Sequence, residues 1–290
     1  MVKLSSGCQR LAVLCLLCIA GIRIGMADSG EPLRLGIFPR YNYTETIKSF
    51  TPLAEYLARR LGRRVELETT GDFSAFWQAV VARRYDLVHF NQYHYIKAHH
   101  ELRYEVIAHN REGGSDTIKG ALLVRRDSGI ERLSDLRGKR ILFGGGRDAM
   151  QAYILTTYLL RRAGLKPGDY SELFAINPPN AVVATYQKHA DAAGAGDRVL
   201  VMPVVTERID PGQMKLLAVS EPVVHLPWAV KSELAPALKR ALGVALQTLA
   251  DSETGRAVLT SAKLTGFVAS RDADYDRLRR IVFEVSGERY

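Results

Sequence analysis

The chain has 290 residues, 47% of them hydrophobic, and a formal net charge of +9 at pH 7. That length suffices for a large buried core or two lobes. The positive charge is scattered in pairs such as Arg59-Arg60, Arg125-Arg126 and Arg279-Arg280, which read as solvated helix faces and argue against nucleic acid as a partner. All three cysteines, Cys8, Cys15 and Cys18, fall before residue 28, so the rest of the chain has no disulfide framework and no thiol chemistry.

The N-terminus reads as a secretory leader. Lys3 and Arg10 precede an apolar run over residues 11–22, and Gly25-Met26-Ala27 supplies small residues for cleavage after Ala27. The run is too short to span a membrane comfortably, a retained anchor being the alternative. Leu14 stands before Cys15 where a lipoprotein signal would place a small residue. Removing Lys3, Arg10 and Arg23 with the leader takes the net charge from +9 to +6, a weak bias toward anionic ligands.

In chain order, residues 33–38 predict a strand that stops at Pro39. Thr51-Pro52 predicts a helix start, with Thr as N-cap and Pro in the first turn; Leu53, Leu57 and Leu61 share one face, and Gly62 ends it. A strand over 65–69 follows, then a helix with Phe73, Phe76 and Val80 inward, a buried strand over 86–90 and a short helix through His99. Residues 104–109 and 120–125 predict strands, the second crossing into another lobe. A short turn-helix at 133–136, a strand at 140–143 and a helix from Gly144-Gly145-Gly146 to about Ala163 come next. A helix over 181–189, strands at 190–193, 199–202 and 215–220, and helices at 233–250, 252–262 and 274–285 complete the chain. The result is α/β, with two units in series and crossover strands between them.

Ligands of open α/β sheets sit at the carboxyl ends of strands, which singles out several groups. Tyr41, Tyr43, Tyr93 and Tyr95 come from two such ends and suit a pocket wall. The turn with Gly145, Gly146, Arg147, Asp148 and Gln151 precedes a helix whose free amides can take an anion, although Asp148 can fill that place itself. Asn180 reads as an N-cap facing the cleft, Asp191 as a hydrogen-bond acceptor or a loop terminator, and Trp228 as a pocket wall or a hinge packing residue. His89, His94, His99 and His100 lack a recognisable metal spacing. No nucleophile motif is present, so neither metal, cofactor nor catalysis is expected.

These pieces together resemble the periplasmic substrate-binding proteins of phosphate, phosphite and phosphonate ABC transporters. The resemblance rests on Leu35-Gly36-Ile37-Phe38-Pro39, Thr51-Pro52-Leu53-Ala54-Glu55-Tyr56-Leu57, Tyr85-Asp86-Leu87-Val88 with Tyr95-Ile96-Lys97-Ala98, Asp135-Leu136-Arg137-Gly138-Lys139, and Leu264-Thr265-Gly266-Phe267 with Asp274-Tyr275-Asp276. It implies a two-lobed type II periplasmic-binding fold with a two-stranded hinge and a ligand cleft between lobes, residues 28–118 and 222–290 forming one lobe and 119–221 the other. It also implies a monomer in the periplasm that delivers a small molecule to a membrane permease; a receptor for a sensor kinase, an exported enzyme and a metal binder are the alternatives. The family's ligand tyrosine falls on Tyr95. Its anion-clamping Ser-Thr-Ser-Gly falls on Ala149-Met150-Gln151-Ala152, where those hydroxyls are missing, so the ligand is either another oxyanion or a larger, less charged molecule.

Overall fold

The computed structural model describes residues 31–290; the leader lies outside the described residues. Strand β1 (Leu33–Ile37) buries Leu33, Leu35 and Ile37 completely. Helix α1 (Tyr43–Leu61) then starts eight residues before the predicted Thr51. Asn42 is the actual cap, its Oδ1 accepting the Glu45 N–H at 2.9 Å. Pro52 therefore lies inside the helix. The amide it lacks costs one backbone bond, and the continuous buried stripe of Thr46, Ser49, Phe50, Leu53 and Leu57 offsets that cost. Strand β2 (Val65–Glu68), α2 (Phe73–Val81), β3 (Leu87–His89), α3 (Gln92–Leu102) and β4 (Tyr104–Arg111) follow.

The chain crosses to a second sheet through β5 (Thr117–Ile118). There β6 (Gly120–Arg125) and β7 (Arg140–Gly144) lead to a π-helical turn (Met150–Ile154) that runs into α4 (Leu155–Arg162). Strand β8 (Ser171–Ala175) is one that sequence reading missed. It is a half-exposed edge strand with no clean alternation. Helix α5 (Pro178–Tyr186) begins at Asn177, three residues before the expected Asn180, because Asn177 Oδ1 takes the Asn180 N–H at 3.0 Å and Pro178 needs no amide partner. After β9 (Ala192–Gly196), the expected strand at 199–202 is instead a 3-10 turn over Val199–Val201, and α6 (Pro203–Thr206) follows after Met202. Strand β10 (Met214–Val219) closes the sheet, and β11 (Val223–Val224) returns beside β5. The first sheet is then completed by β12 (Pro227–Lys231), α7 (Pro236–Gln247), α8 (Glu253–Ser261), β13 (Gly266–Ala269) and α9 (Asp276–Ser286).

The first sheet has the order β13-β4-β12-β3-β1-β2, the second β10-β6-β9-β7-β8, and β5–β11 is an antiparallel ribbon joining them. Each sheet with its helices forms a lobe. Strands β1, β2 and β3 are parallel, as are β7, β8 and β9, so in each lobe their carboxyl ends and the following helix starts share one edge. Helix α9 packs on α3 of the first lobe and on α4 of the second. Arg161 of α4 donates to the Glu284 carbonyl at 2.7 Å. The second sheet is thin where the helices approach it: a side chain at Gly194 would run into the Ala152 carbonyl and the Phe143 ring.

Candidate functional site

The carboxyl ends of the two sheets meet. Asn91 caps α3, accepting the His94 N–H at 2.8 Å, and its Nδ2 crosses to the Asp148 carbonyl at 3.2 Å. His94 Nε2 lies 3.2 Å from Asp148 Oδ2. His94 is buried and stacks on Trp77 at 5.6 Å and 15°. The hydrogen bond from His94, with its charge, holds the Asp148 carboxyl below the usual carboxylate range. This bridge joins the first lobe to the glycine turn of the second, where Gly145 takes φ +101°, a conformation that needs glycine.

Asp148 is about half exposed, so its contact with His94 is screened by solvent and contributes about 1 kcal/mol or less. Asp148→Asn is expected to leave the fold intact and to loosen closure. Small-angle scattering on the unliganded protein checks this: a larger radius of gyration than wild type is the expected result, and an unchanged radius rejects the bridge as a latch.

The first lobe holds a second polar group that sequence reading missed. Arg40 follows Pro39 at the end of β1. Its Nη2 donates to both Glu112 oxygens, at 3.1 and 3.0 Å, while Nη1 is buried without a partner. Burial works against the Arg40 charge, but Tyr41 and Glu112 outweigh it and its pKa stays above the ordinary value. His225 faces Glu112 at 3.7 Å; burial, helped by Arg40 and His109, lowers its pKa to about 3. Burial also keeps His89 and His109 neutral, and the buried Nδ1 of His109 has no partner. The one signal available in sequence was the place of Arg40 at a strand's carboxyl end.

The expected site residues divide. Tyr41 stays with this group, its ring 5.0 Å from the Arg40 guanidinium and 4.4 Å from Lys263 Nζ; Tyr43 is exposed on the first turn of α1. Gly145, Gly146 and Asp148 line the second-lobe edge. Gln151 folds back, donating to the Lys119 carbonyl at 3.3 Å and covering Gly196. Arg147 turns aside to Glu172 at 2.5 Å, over the Phe174 ring.

Others are held by neighbouring side chains. Tyr95 is fully buried with its hydroxyl on Asp272 at 2.7 Å, and Tyr93 donates to Glu288 at 2.9 Å, so both face the C-terminal segment. Asp191 accepts the Arg140 N–H at 2.8 Å, at the amino end of β7 and so at the far edge of the sheet. Asn180 accepts from Arg208 at 3.0 Å. Trp228 is sealed in the first-lobe core, stacked on His89 at 4.5 Å, with its indole N–H on Asn110 at 2.7 Å. Residue type alone could not tell which way these side chains point. His99 bonds the Tyr104 carbonyl at 2.7 Å and lies 3.3 Å from Asp272, and His100 packs edge-on against Tyr290.

Beside the Asp148 bridge a groove of about 340 Å³ runs between the second lobe and α9, lined by Tyr93, Arg147, Tyr153, Glu172, Val282 and Glu288 among others. Two α/β lobes, a two-stranded hinge and facing strand ends define a bilobal α/β protein with a cleft between its lobes. Residues 35–275 match the family described as the periplasmic substrate-binding protein of the phosphonate ABC transporter, and the chain belongs to that family. Solved structures with the same fold include the binding-protein component of a phosphonate ABC transporter from Pseudomonas aeruginosa, with a TM-score of 0.76 and 16% identity over 88% of this chain and 86% of that one. A protein of Prochlorococcus marinus in complex with methylphosphonate gives 0.77 and 15% over 88% and 98%. A Xanthomonas citri protein bound to ATP gives 0.74 and 20% over 88% and 97%.

Proposed function

We propose that the protein is an exported, monomeric solute-binding protein of the periplasm. It closes residues 28–118 with 222–290 (one lobe) and 119–221 (the other) around a small ligand, and presents the closed form to an ABC permease. The observation that carries this reading is the contact of Asn91 and His94 with Asp148 across the two sets of strand ends, with the β5–β11 ribbon behind it. A ligand touching both edges shifts the open–closed equilibrium by its differential affinity for the closed form. The protein does no chemistry on what it binds. Solved relatives carry ligands as different as methylphosphonate and ATP, so the family framework accommodates acidic ligands of very different size.

A thermal-shift panel tests the reading. It holds phosphate, phosphite, alkylphosphonates, sulfate, ATP, divalent metals, and neutral and cationic metabolites. A ligand that binds only the folded state raises the melting temperature by mass action, with about 2.7 kcal/mol of stabilisation at a hundredfold excess over Kd. The expected result is a shift with at least one small molecule, which is then recovered unchanged from the complex. Turnover of the compound, or no shift with any of them, rejects the reading.

A further inference from the structure

Helix α9 lies between the lobes and touches both. Its apolar stripe, Leu278, Ile281, Val282 and Val285, recurs at three- and four-residue spacing and is buried. The stripe belongs to one core with Tyr95 and Ile96 of α3 on the first lobe and Leu155 and Leu160 of α4 on the second. At its N-terminal end α9 meets the hinge: the Tyr275 hydroxyl donates to the His225 carbonyl at 3.3 Å, and Arg277 pairs with Glu221. At its C-terminal end it reaches Tyr93, at the start of α3 and next to the His94 bridge. A helix in that place is a third connection between the lobes, beside the two strands of the ribbon.

The polar ties on its two sides differ. Toward the first lobe, Asp272 accepts the Tyr95 hydroxyl at 2.7 Å and Arg279 Nη2 at 2.6 Å. Glu288 accepts the Tyr93 hydroxyl, and Tyr290 packs edge-on against Tyr93 and His100. The segment is thus pinned to α3 both before and after the helix. Toward the second lobe, Arg161 Nη1 donates to the Glu284 carbonyl at 2.7 Å. Glu284 stands in the last turn of α9, where carbonyls have no intrahelical partner. Arg161 therefore caps α9 from the opposite lobe, with its charge at the negative end of the helix dipole. Packing on this side is also interrupted, because the groove of about 340 Å³ opens between Val282 and Val285 of α9 and Tyr153 and Ile154 of the second lobe.

We infer that α9 is a clasp between the lobes: it travels with the first lobe, its contact with α4 is the surface that parts on opening, and Arg161 sets how readily that surface parts. This rests on the reading of two closing lobes above, and it names what governs closure besides the ligand. Opening has to draw Arg161 away from the Glu284 carbonyl and expose part of the apolar stripe, so the lobes do not swing freely on the ribbon.

Double electron–electron resonance between paired spin labels tests this. The labels sit at exposed positions, Arg60→Cys on α1, Gln187→Cys after α5 and Arg280→Cys on α9, two at a time in the full chain with Cys8, Cys15 and Cys18 changed to serine. Arg161→Ala is expected to raise the ratio of long to short distances between positions 60 and 187 roughly 2- to 10-fold, the range for one hydrogen bond. Arg161→Lys, which keeps a charged donor at the helix end, is expected to restore most of the short population. The distance from 187 to 280 is expected to lengthen with it, while the distance from 60 to 280 stays fixed. Tyr93→Phe is expected to change none of them, because Asp272 and Tyr290 still hold the segment to α3. If the distance from 60 to 280 lengthens instead and that from 187 to 280 stays fixed, α9 travels with the second lobe and the inference is overturned. If Asp148→Asn opens the protein and Arg161→Ala does not, Arg161 is no clasp, while the reading of closing lobes stands. If positions 60 and 187 keep one distance in every variant and with every compound of the thermal-shift panel, the lobes do not move, and that reading falls together with the inference.

Discussion

Acidifying the protein from about pH 7 to about pH 4 is expected to lower its urea midpoint steeply, by far more than surface carboxylates alone account for. His225 is buried with a pKa of about 3, against about 6.5 in an unfolded chain. Between those values the unfolded state binds a proton that the folded state refuses. Stability is therefore full above about pH 6.5 and is lost as pH falls toward 3, at about 1.4 kcal/mol per pH unit, or on the order of 5 kcal/mol in all. His89, whose pKa burial depresses well below its ordinary value, adds to the same slope. The groups facing His225 are Arg40, His109 and Glu112. The first two oppose its protonation; Glu112 is held by Arg40 and cannot rescue it fully. His225→Gln is expected to flatten the slope. A midpoint that stays level from pH 7 to pH 4 contradicts the burial of these rings as neutral species.

The second large effect is expected at Trp228. Replacing it with alanine empties the space between His89 at 4.5 Å, Phe267 at 5.4 Å and Phe50 at 6.2 Å. It also strands the Asn110 carbonyl that accepts the indole N–H. Trp→Ala changes in cores cost about 3–5 kcal/mol, and the stranded acceptor adds about 1 kcal/mol or more. Trp228→Phe keeps most of the packing and loses the hydrogen bond, so it is expected to cost about 1–2 kcal/mol. Urea unfolding followed by circular dichroism separates the two. Equal costs for both variants would mean that the hydrogen bond, and not the packing, dominates. Ligand binding by Trp228→Phe is expected to match wild type, since the ring is walled off from the cleft.

Much of the framework was legible because its signals are local. Leu33, Leu35 and Ile37 alternate into the core, Gly120–Arg125 is a strand at the expected place, and Gly62 ends α1 in a left-handed turn. The errors came from competing local signals. Thr51-Pro52 is a sound helix start, yet Asn42 with Glu45 outbids it because the apolar stripe extends upstream to Thr46 and Ser49. Asn177 and Asn180 are equally good caps by type; the two prolines after Asn177 decide between them. Strand β8 has no pattern of its own and exists because β7 offers it an edge. The site was less legible still. Arg40 and Glu112 are 72 residues apart, as no periodicity could reveal, and Arg40 looks like one more solvated arginine. Tyr95 has the right type and place for a ligand contact, but Asp272, near the end of the chain, claims its hydroxyl.

The strand order also governs what a partial chain can do. The second sheet uses strands from a single stretch, β6 to β10, and is complete once Val219 has been made. The first sheet places β12, from far downstream, between β3 and β4. During synthesis, therefore, the lobe that begins first finishes last. Strands β3 and β4 each keep an open edge until Lys231 is in place, and β4 keeps its other edge open until β13 follows. A fragment ending near residue 221 would carry one finished sheet and one with its middle missing, and open edges of that kind invite pairing with other chains. The second sheet can therefore pair all of its strands before the downstream chain exists, whereas the first sheet needs the chain as far as β13.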